Sequence, residues 1–344
     1  MNLSNFVMPL IFGLRNEGRR GTAKAYRSTL NSVLEYGGKD LKLSTVFEKS
    51  WLSNYQLWIS GRGLESNTSS FYLSILQRLY HQALEIGLVK HIPDLFANIL
   101  IRHTPTQKRA LPAAIISLIS EADLSGKKGL EFSRDMFMLS FYLQGIAFVD
   151  LAFLRKADWK GGSIRYYRRK SKSYINTPVS EEAKRILLKY RALTSKESPY
   201  LLPIITEKER EAYDQYQSAL RNQNRRLKRI ATFLGITENL TTYVSRHSWA
   251  TIAHHEGVPA SHISQALGHQ TEVVTHVYLK SFDDSVLRNA NSIVIAAVNR
   301  GMKVNNNKPK WIDRKGVGTG RVNRNENVRH CISDGHFRDA NIEV

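Results

Sequence analysis

One interruption governs what this 344-residue chain can become. From His103 to Arg109 it reads HTPTQKR, polar and basic around Pro105, with Pro112 just beyond. Such a stretch has no apolar side to bury, and proline lacks the N–H that helices and sheets use. Residues 102–111 are therefore read as a linker. Helical patterning precedes it and mixed patterning follows it. Two cores are expected, as the length also suggests at about 150 residues per domain.

Residues 1–101 read as one helical domain. A helix capped by Thr22 carries Tyr26, Leu30, Val33 and Leu34 on one face and stops at Gly37-Gly38. Val46, Phe47, Trp51, Leu52, Tyr55 and Trp58 mark a second helical stretch, closed by Gly61 and Gly63. A longer helix opens at Asn67-Thr68 and repeats Phe71, Ile75, Leu79, Ala83 and Ile86 before Gly87. The apolar run Phe6–Leu14 has no basic segment before it and no small-residue cleavage site after it, so it reads poorly as a secretion signal.

Residues 112–300 form a second domain of mixed type. Phe137–Phe153 is apolar and helical in character. Gly161-Gly162 turns into the alternating strand Ser163–Tyr167, and Tyr174-Ile175 begins the returning strand. Pro178 and Ser180 start another helix. Gln215–Leu234 is amphipathic, with Tyr216, Leu220, Leu227 and Ile230 inward and Arg221, Arg225, Arg226, Lys228 and Arg229 opposite. The expected fold class is mainly α with a small antiparallel sheet. Residues 301–344 show no apolar period and are read as a disordered basic tail. The glycines at 316–320 follow no strand and lack the Gly-Lys-Ser/Thr ending of a phosphate loop.

The chain carries 50 Lys and Arg against 30 Asp and Glu, a net +20 that attracts polyanions, nucleic acid first among them. Arg165, Arg168, Arg169, Lys170 and Lys172 crowd one segment, and Arg225, Arg226 and Arg229 lie in another. With Arg19, Arg20, Arg78 and Arg109 they are the expected contacts of two domains closing on duplex DNA, mostly through phosphates. The single cysteine, Cys331, excludes an internal disulfide and a multi-cysteine zinc site. Nowhere do the roughly 20 apolar residues of a membrane span occur. A cytoplasmic protein without membrane partner, metal or cofactor is expected.

The chemistry concentrates between Thr241 and Lys280, which hold histidines 247, 254, 255, 262, 269 and 276. Zinc-binding histidines on a helix sit four apart beside a carboxylate; Glu256 fits no such pattern, and Gly257, Pro259 and Gly268 break any helix that could align them. Phosphoryl transfer explains more. Arg246 lies in Ser-Arg-His-Ser-Trp-Ala-Thr, His269 in Leu-Gly-His, and Tyr278 nine residues later. Guanidinium grips phosphate oxygens in a fork, imidazole donates or moves a proton, and an activated phenol can attack phosphorus.

Over about 134–298 these motifs resemble the tyrosine recombinase, or phage integrase, family, and residues 22–101 are similar to its SAM-like core-binding domain. The resemblance implies a helical SAM-like domain joined to an α+β catalytic domain. It implies that Tyr278 attacks the scissile phosphate to become 3′-phosphotyrosyl-linked and that Arg246 clamps that phosphate. His269 would hold a non-bridging oxygen or assist proton transfer. Lys170 would protonate the leaving 5′-oxygen, with Lys172 a rival on the same strand face. Tyr243 stands where the family presents the histidine of His-x-x-Arg. A phenol can donate to phosphate there without carrying a proton at neutral pH.

The family's first arginine is absent. Alignment on Asp150 and Leu154 puts Ala147 in its place, and the frame QGIAFVD puts Gln144 there. Arg155, Arg168 and Arg169 are the candidates to replace it. Two readings follow: an active site-specific recombinase of the integrase or invertase type, serving a mobile element, or a DNA-binding relative that has lost strand cleavage. Type IB topoisomerases share the chemistry, and the SAM-like first domain argues for a recombinase. Beyond Tyr278, apolar residues at 286, 287, 290, 293, 294, 297 and 298 form a helical stripe. By the resemblance, that last helix is donated between subunits, giving a monomer or weak dimer in solution and a homotetramer on paired DNA sites.

Overall fold

The computed structural model describes residues 1–99, 101, 110–269 and 295. Arg109, most of the expected linker, Tyr278, the 286–298 stripe and the basic tail lie outside these residues.

The first helix, α1 (Leu3–Asn16), buries Leu3, Phe6, Val7 and Ile11, the spacing of one helical face. It is hard to read in the sequence because Pro9 and Gly13 interrupt its pattern. Proline costs it a backbone bond, but its start is fixed by Leu3 N–H donating to the Leu41 carbonyl (2.9 Å) and Leu43 N–H to that of Met1 (3.0 Å). Helix α2 (Arg20–Gly37) begins before Thr22, which therefore lies inside the first turn and caps nothing. Gly38 ends it with φ +84°, a backbone state open mainly to glycine.

The short α3 (Leu43–Val46), α4 (Lys49–Gly61) and α5 (Ser66–Glu85) complete this region. Helices α2 and α4 both pack on α5, so its buried face is broader than one stripe and turned toward Leu73, Leu76 and Tyr80. Phe71 and Ile86, expected inside, are 40% and 62% exposed. The rings of Tyr36, Trp51, Tyr55 and Trp58 gather nearby, and the buried Tyr55 hydroxyl donates to Ser32 Oγ at 2.9 Å.

The second region starts with α6 (Ala113–Glu121), α7 (Lys128–Tyr142) and α8 (Phe148–Ala152). The Phe137–Phe153 run is thus two helices and a turn. Gln144 and Gly145 reverse the chain with φ +57° and +73°. The run stays apolar because α7 is covered on two sides: Met136 and Leu139 belong to one cluster, Phe137 and Met138 to another.

Strands β1 (Trp159–Lys160), β2 (Ser163–Tyr167) and β3 (Tyr174–Pro178) form an antiparallel sheet in that order. Ile164 pairs with Thr177 and Tyr166 with Ile175, while Arg165 and Tyr167 face out. In α9 (Glu181–Arg191), Ser180 Oγ accepts the Ala183 N–H at the start. Helix α10 (Ala212–Phe233) buries Leu227 and Ile230. Asn224 Oδ1 on it accepts the Thr242 N–H at 2.9 Å, fixing the start of α11 (Thr242–His255). Helix α12 (Ala260–Leu267) follows. Arg20 Nη2 meets Glu211 at 2.6 Å, so α2 is tied to the residue preceding α10.

Candidate active site

The site is assembled around the end of α12. Gly268 takes φ +63°; its N–H donates to the Gln265 carbonyl (2.9 Å) and that of His269 to the Ser264 carbonyl (3.0 Å). These two bonds are the Schellman closure of a helix. A Cβ at Gly268 would stand 2.6 Å from Ile175 Cδ1 and 3.3 Å from Arg168 Cδ. Leu-Gly-His therefore needs its glycine twice, for the turn and for the β3 hairpin packed over it. The closure leaves the carbonyls of Leu267 and Gly268 facing outward from the helix end, where the backbone dipole is negative.

Arg246 takes the first of these carbonyls. Only 2% exposed, it donates through Nη2 to Leu267 O (2.6 Å) and through Nη1 to Gly145 O (2.8 Å). Nη2 also lies 3.2 Å from His269 Nε2. Guanidinium can only donate, so a bond here requires the proton of the neutral imidazole to be on Nδ1. The flanking serines set the helix in place. Ser245 Oγ donates to the Phe137 carbonyl (3.0 Å) and sits 3.1 Å from Ser140 Oγ, which donates to the Ile146 carbonyl (2.7 Å). Ser248 Oγ accepts the Leu111 N–H at 2.8 Å. A Cβ on Gly145 would come within 3.0 Å of Arg246 Cα, so the 144–147 turn, where the family's first arginine is expected, does border Arg246. The sequence frame contained Gly145, Ser245 and Ser248; only the fold shows what they hold.

The hairpin turn takes the second carbonyl. Arg168 Nη1 (3.0 Å), Ser171 Oγ (3.0 Å) and Ser173 Oγ (3.2 Å) all approach Gly268 O. This pins the turn holding Lys170 beside His269. Lys170 is exposed, and Lys172, expected on its strand face, instead lies in the turn with φ +60°; the strand ends at Tyr167. Asp150, buried below the turn, accepts the Arg169 N–H (2.8 Å) and lies 3.9 Å from Arg168 Nε. Burial pushes its carboxyl above the usual range, against the pull of Arg168, Arg246 and Arg169.

His269 is pushed down to about 4, first by burial and then by the charges of Arg246, Arg168 and Lys170. It is neutral at pH 7. Tyr243 is 41% exposed, with its ring edge-on to His247 at 4.6 Å. Among the other expected contacts, Arg78, Arg165, Arg169, Arg225 and Arg229 are exposed. Arg226 is half-buried; a Cβ on Gly129 would meet its guanidinium carbon at 3.2 Å. Arg168 points inward, not to solvent. Among the described residues no group of three His, Cys, Asp or Glu could hold a metal, and no helix is long and apolar enough to cross a membrane.

Two family models match the chain: the phage integrase family over residues 133–284 and the phage integrase SAM-like domain over residues 2–97. The tyrosine recombinase XerC of Thermodesulfovibrio yellowstonii is 25% identical over 279 residues, covering 75% of this chain and 86% of that protein. A lambda integrase (75–356) dimer bound to a COC′ core site superposes with TM-score 0.62 at 16% identity, over 82% of this chain and 98% of that one. A lambda integrase tetramer bound to a Holliday junction gives 0.58 at 15% identity, over 82% and 80%. The two matches, one over the helical first region and one over the region that holds the sheet, agree: the chain belongs to the phage integrase family and is a site-specific tyrosine recombinase of DNA.

Proposed function

We propose that the cluster at the end of α12 is the strand-cleavage site, with Arg246 gripping the scissile phosphate and Tyr278 supplying the nucleophile. The observation that carries this is Arg246 Nη2 lying 3.2 Å from Nε2 of His269, which follows the end of α12 and precedes Tyr278 by nine residues. The Tyr278 Oη–phosphorus bond forms as the phosphorus–O5′ bond breaks. The phenolic proton passes to water as the bond forms, and the 5′-oxygen takes a proton from Lys170. Religation is the reverse, so no ATP is consumed. Arg246 stabilises the added negative charge. Neutral His269 serves as a hydrogen-bonding partner of a non-bridging oxygen, and the arriving phosphate raises its proton affinity.

Residues 1–101 and the catalytic region 112–300 are read as the two arms around duplex DNA, joined at 102–111. Exposed Arg78, Arg165, Arg169, Arg225 and Arg229, with Lys172, supply phosphate contacts. Arg109 is placed in the same role from sequence. The working assembly is a homotetramer on two paired sites, formed from monomers or weak dimers, and its setting is the cytoplasm.

The test uses the duplex that the full chain selects from random-sequence DNA, nicked beside the scissile phosphate to trap the intermediate. Parent protein should form a covalent adduct, and Tyr278→Phe should bind equally and form none. Sedimentation of the same mixtures with un-nicked paired sites should show tetramers. An adduct with Tyr278→Phe, or none with the parent, overturns the reading.

A further inference from the structure

The family's first arginine has no counterpart at Gln144 or Ala147, yet a second guanidinium is buried at the site from the opposite direction. Arg168 is 9% exposed and donates to the Gly268 carbonyl, while Arg246 donates to the carbonyl of Leu267. Two successive carbonyls of one helix end thus hold two arginines, with His269 the next residue. The other candidates lie elsewhere. Arg169 stacks its guanidinium 3.9 Å over Phe153. Arg155 is exposed, just before β1, whereas Arg168 is buried at the helix end.

The bonding of Arg168 also leaves it capacity. Its Nε is buried with no hydrogen-bond partner, since Asp150 at 3.9 Å is too distant for one. A buried donor left unmade is costly and needs a reason. The Gly268 carbonyl satisfies one N–H without cancelling the charge, and Asp150, the carboxylate in ion-pair range, stays 3.9 Å from Nε rather than in contact.

We propose that Arg168, delivered by the β2–β3 hairpin, is the second phosphate-binding arginine of this recombinase and does the work of the arginine missing from the 144–147 turn. This rests on the cleavage reading above. On attack, the phosphate gains negative charge, and Arg168 and Arg246 share it from two sides.

The decisive experiment compares two nicked duplexes, one with a normal scissile phosphate and one with a methylphosphonate there, which lacks the charged oxygen. Arg168→Ala and Arg168→Met are measured beside the parent; methionine keeps the methylene packing against Gly268 if alanine loosens the hairpin. Adduct formation on phosphate should fall about 10²- to 10³-fold in both variants. On methylphosphonate it should match the parent, because no charge remains to stabilise. A purely structural Arg168 would lower both substrates equally. Equal loss on both, or a loss under about threefold on phosphate, overturns the proposal. Ala147→Arg added to Arg168→Met should restore at least part of the lost rate. A parent inert on both duplexes would instead sink the cleavage reading, and this proposal with it.

Discussion

The two halves of the chain bury polar groups in opposite ways. Before residue 102 the buried polar side chains are hydroxyls: Thr29, Ser32, Ser69 and Ser70. After residue 110 they include Asp135, Asp150, Arg168 and Arg246. Even these divide. Asp135 meets Arg134 at 2.8 Å, Lys189 at 2.7 Å and the Tyr190 hydroxyl at 2.7 Å, so its charge is answered by opposite charges and stays structural. Arg246 is held instead by the carbonyl oxygens of Gly145 and Leu267, with no carboxylate in direct contact among these bonds. Buried charge alone does not mark a site.

Substitutions in each half should separate stability from chemistry. The largest effect is expected at Arg246→Lys, which keeps the charge but loses the fork between Gly145 O and Leu267 O. Cleavage by folded protein should drop about 10²- to 10³-fold. Its counterpart, Leu76→Ala in the first half, should cost about 2–5 kcal/mol in urea melts yet leave adduct formation per folded molecule unchanged. If Leu76→Ala lowers cleavage as much as Arg246→Lys does, the halves are not so divided.

Gly268→Ala should be the next in size. It forces a side chain into the left-handed region, worth about 1–2 kcal/mol, and into the space of Ile175. Because the hairpin must shift, cleavage should fall more than stability does. Comparable losses in melts and adduct assays would show that the hairpin seat does not set the chemistry.

The smallest effect concerns pH. His269 binds its proton less readily folded than unfolded, so the unfolded chain holds more protons between about pH 6.5 and about 4. Stability from this group is present above that window and is lost as pH falls through it. His269→Asn should flatten that part of the stability curve, and imidazole NMR of the parent should give a midpoint near 4, moving upward when DNA binds. A midpoint near 6.5 in the free protein would remove the burial argument.

Much of this was legible in the sequence, for reasons tied to spacing. The Gly161-Gly162 hairpin, the Ser180 cap and the Arg246–His269 frame are local signals, and the fold kept them. What the sequence hid was non-local. Helix α1 depends on contacts with Leu41 and Leu43 that offset Pro9, and Phe71 is outside because α2 and α4 meet α5 from different sides. Arg168 is one of three candidates to replace the missing arginine, and spacing cannot separate it from its neighbour Arg169, which faces out while Arg168 faces in. That distinction arises only where the strand ends and Gly268 O takes its guanidinium. Tyr278 has no such geometry among the described residues, so its role continues to rest on the motif.

The dispersal of the α12 site along the chain has a consequence for the protein's manufacture. A ribosome releases the helical first half, then the turn at 144–147, then the hairpin, and only afterwards Arg246, Gly268 and His269. Domains fold as they emerge, earlier ones first. The helical first half can therefore fold before the helix end that seats both guanidinium groups exists, and Tyr278 emerges later still. Synthesis itself imposes an order in which the scaffold comes before the site, and a prematurely terminated chain lacks the helix end on which both arginines are seated.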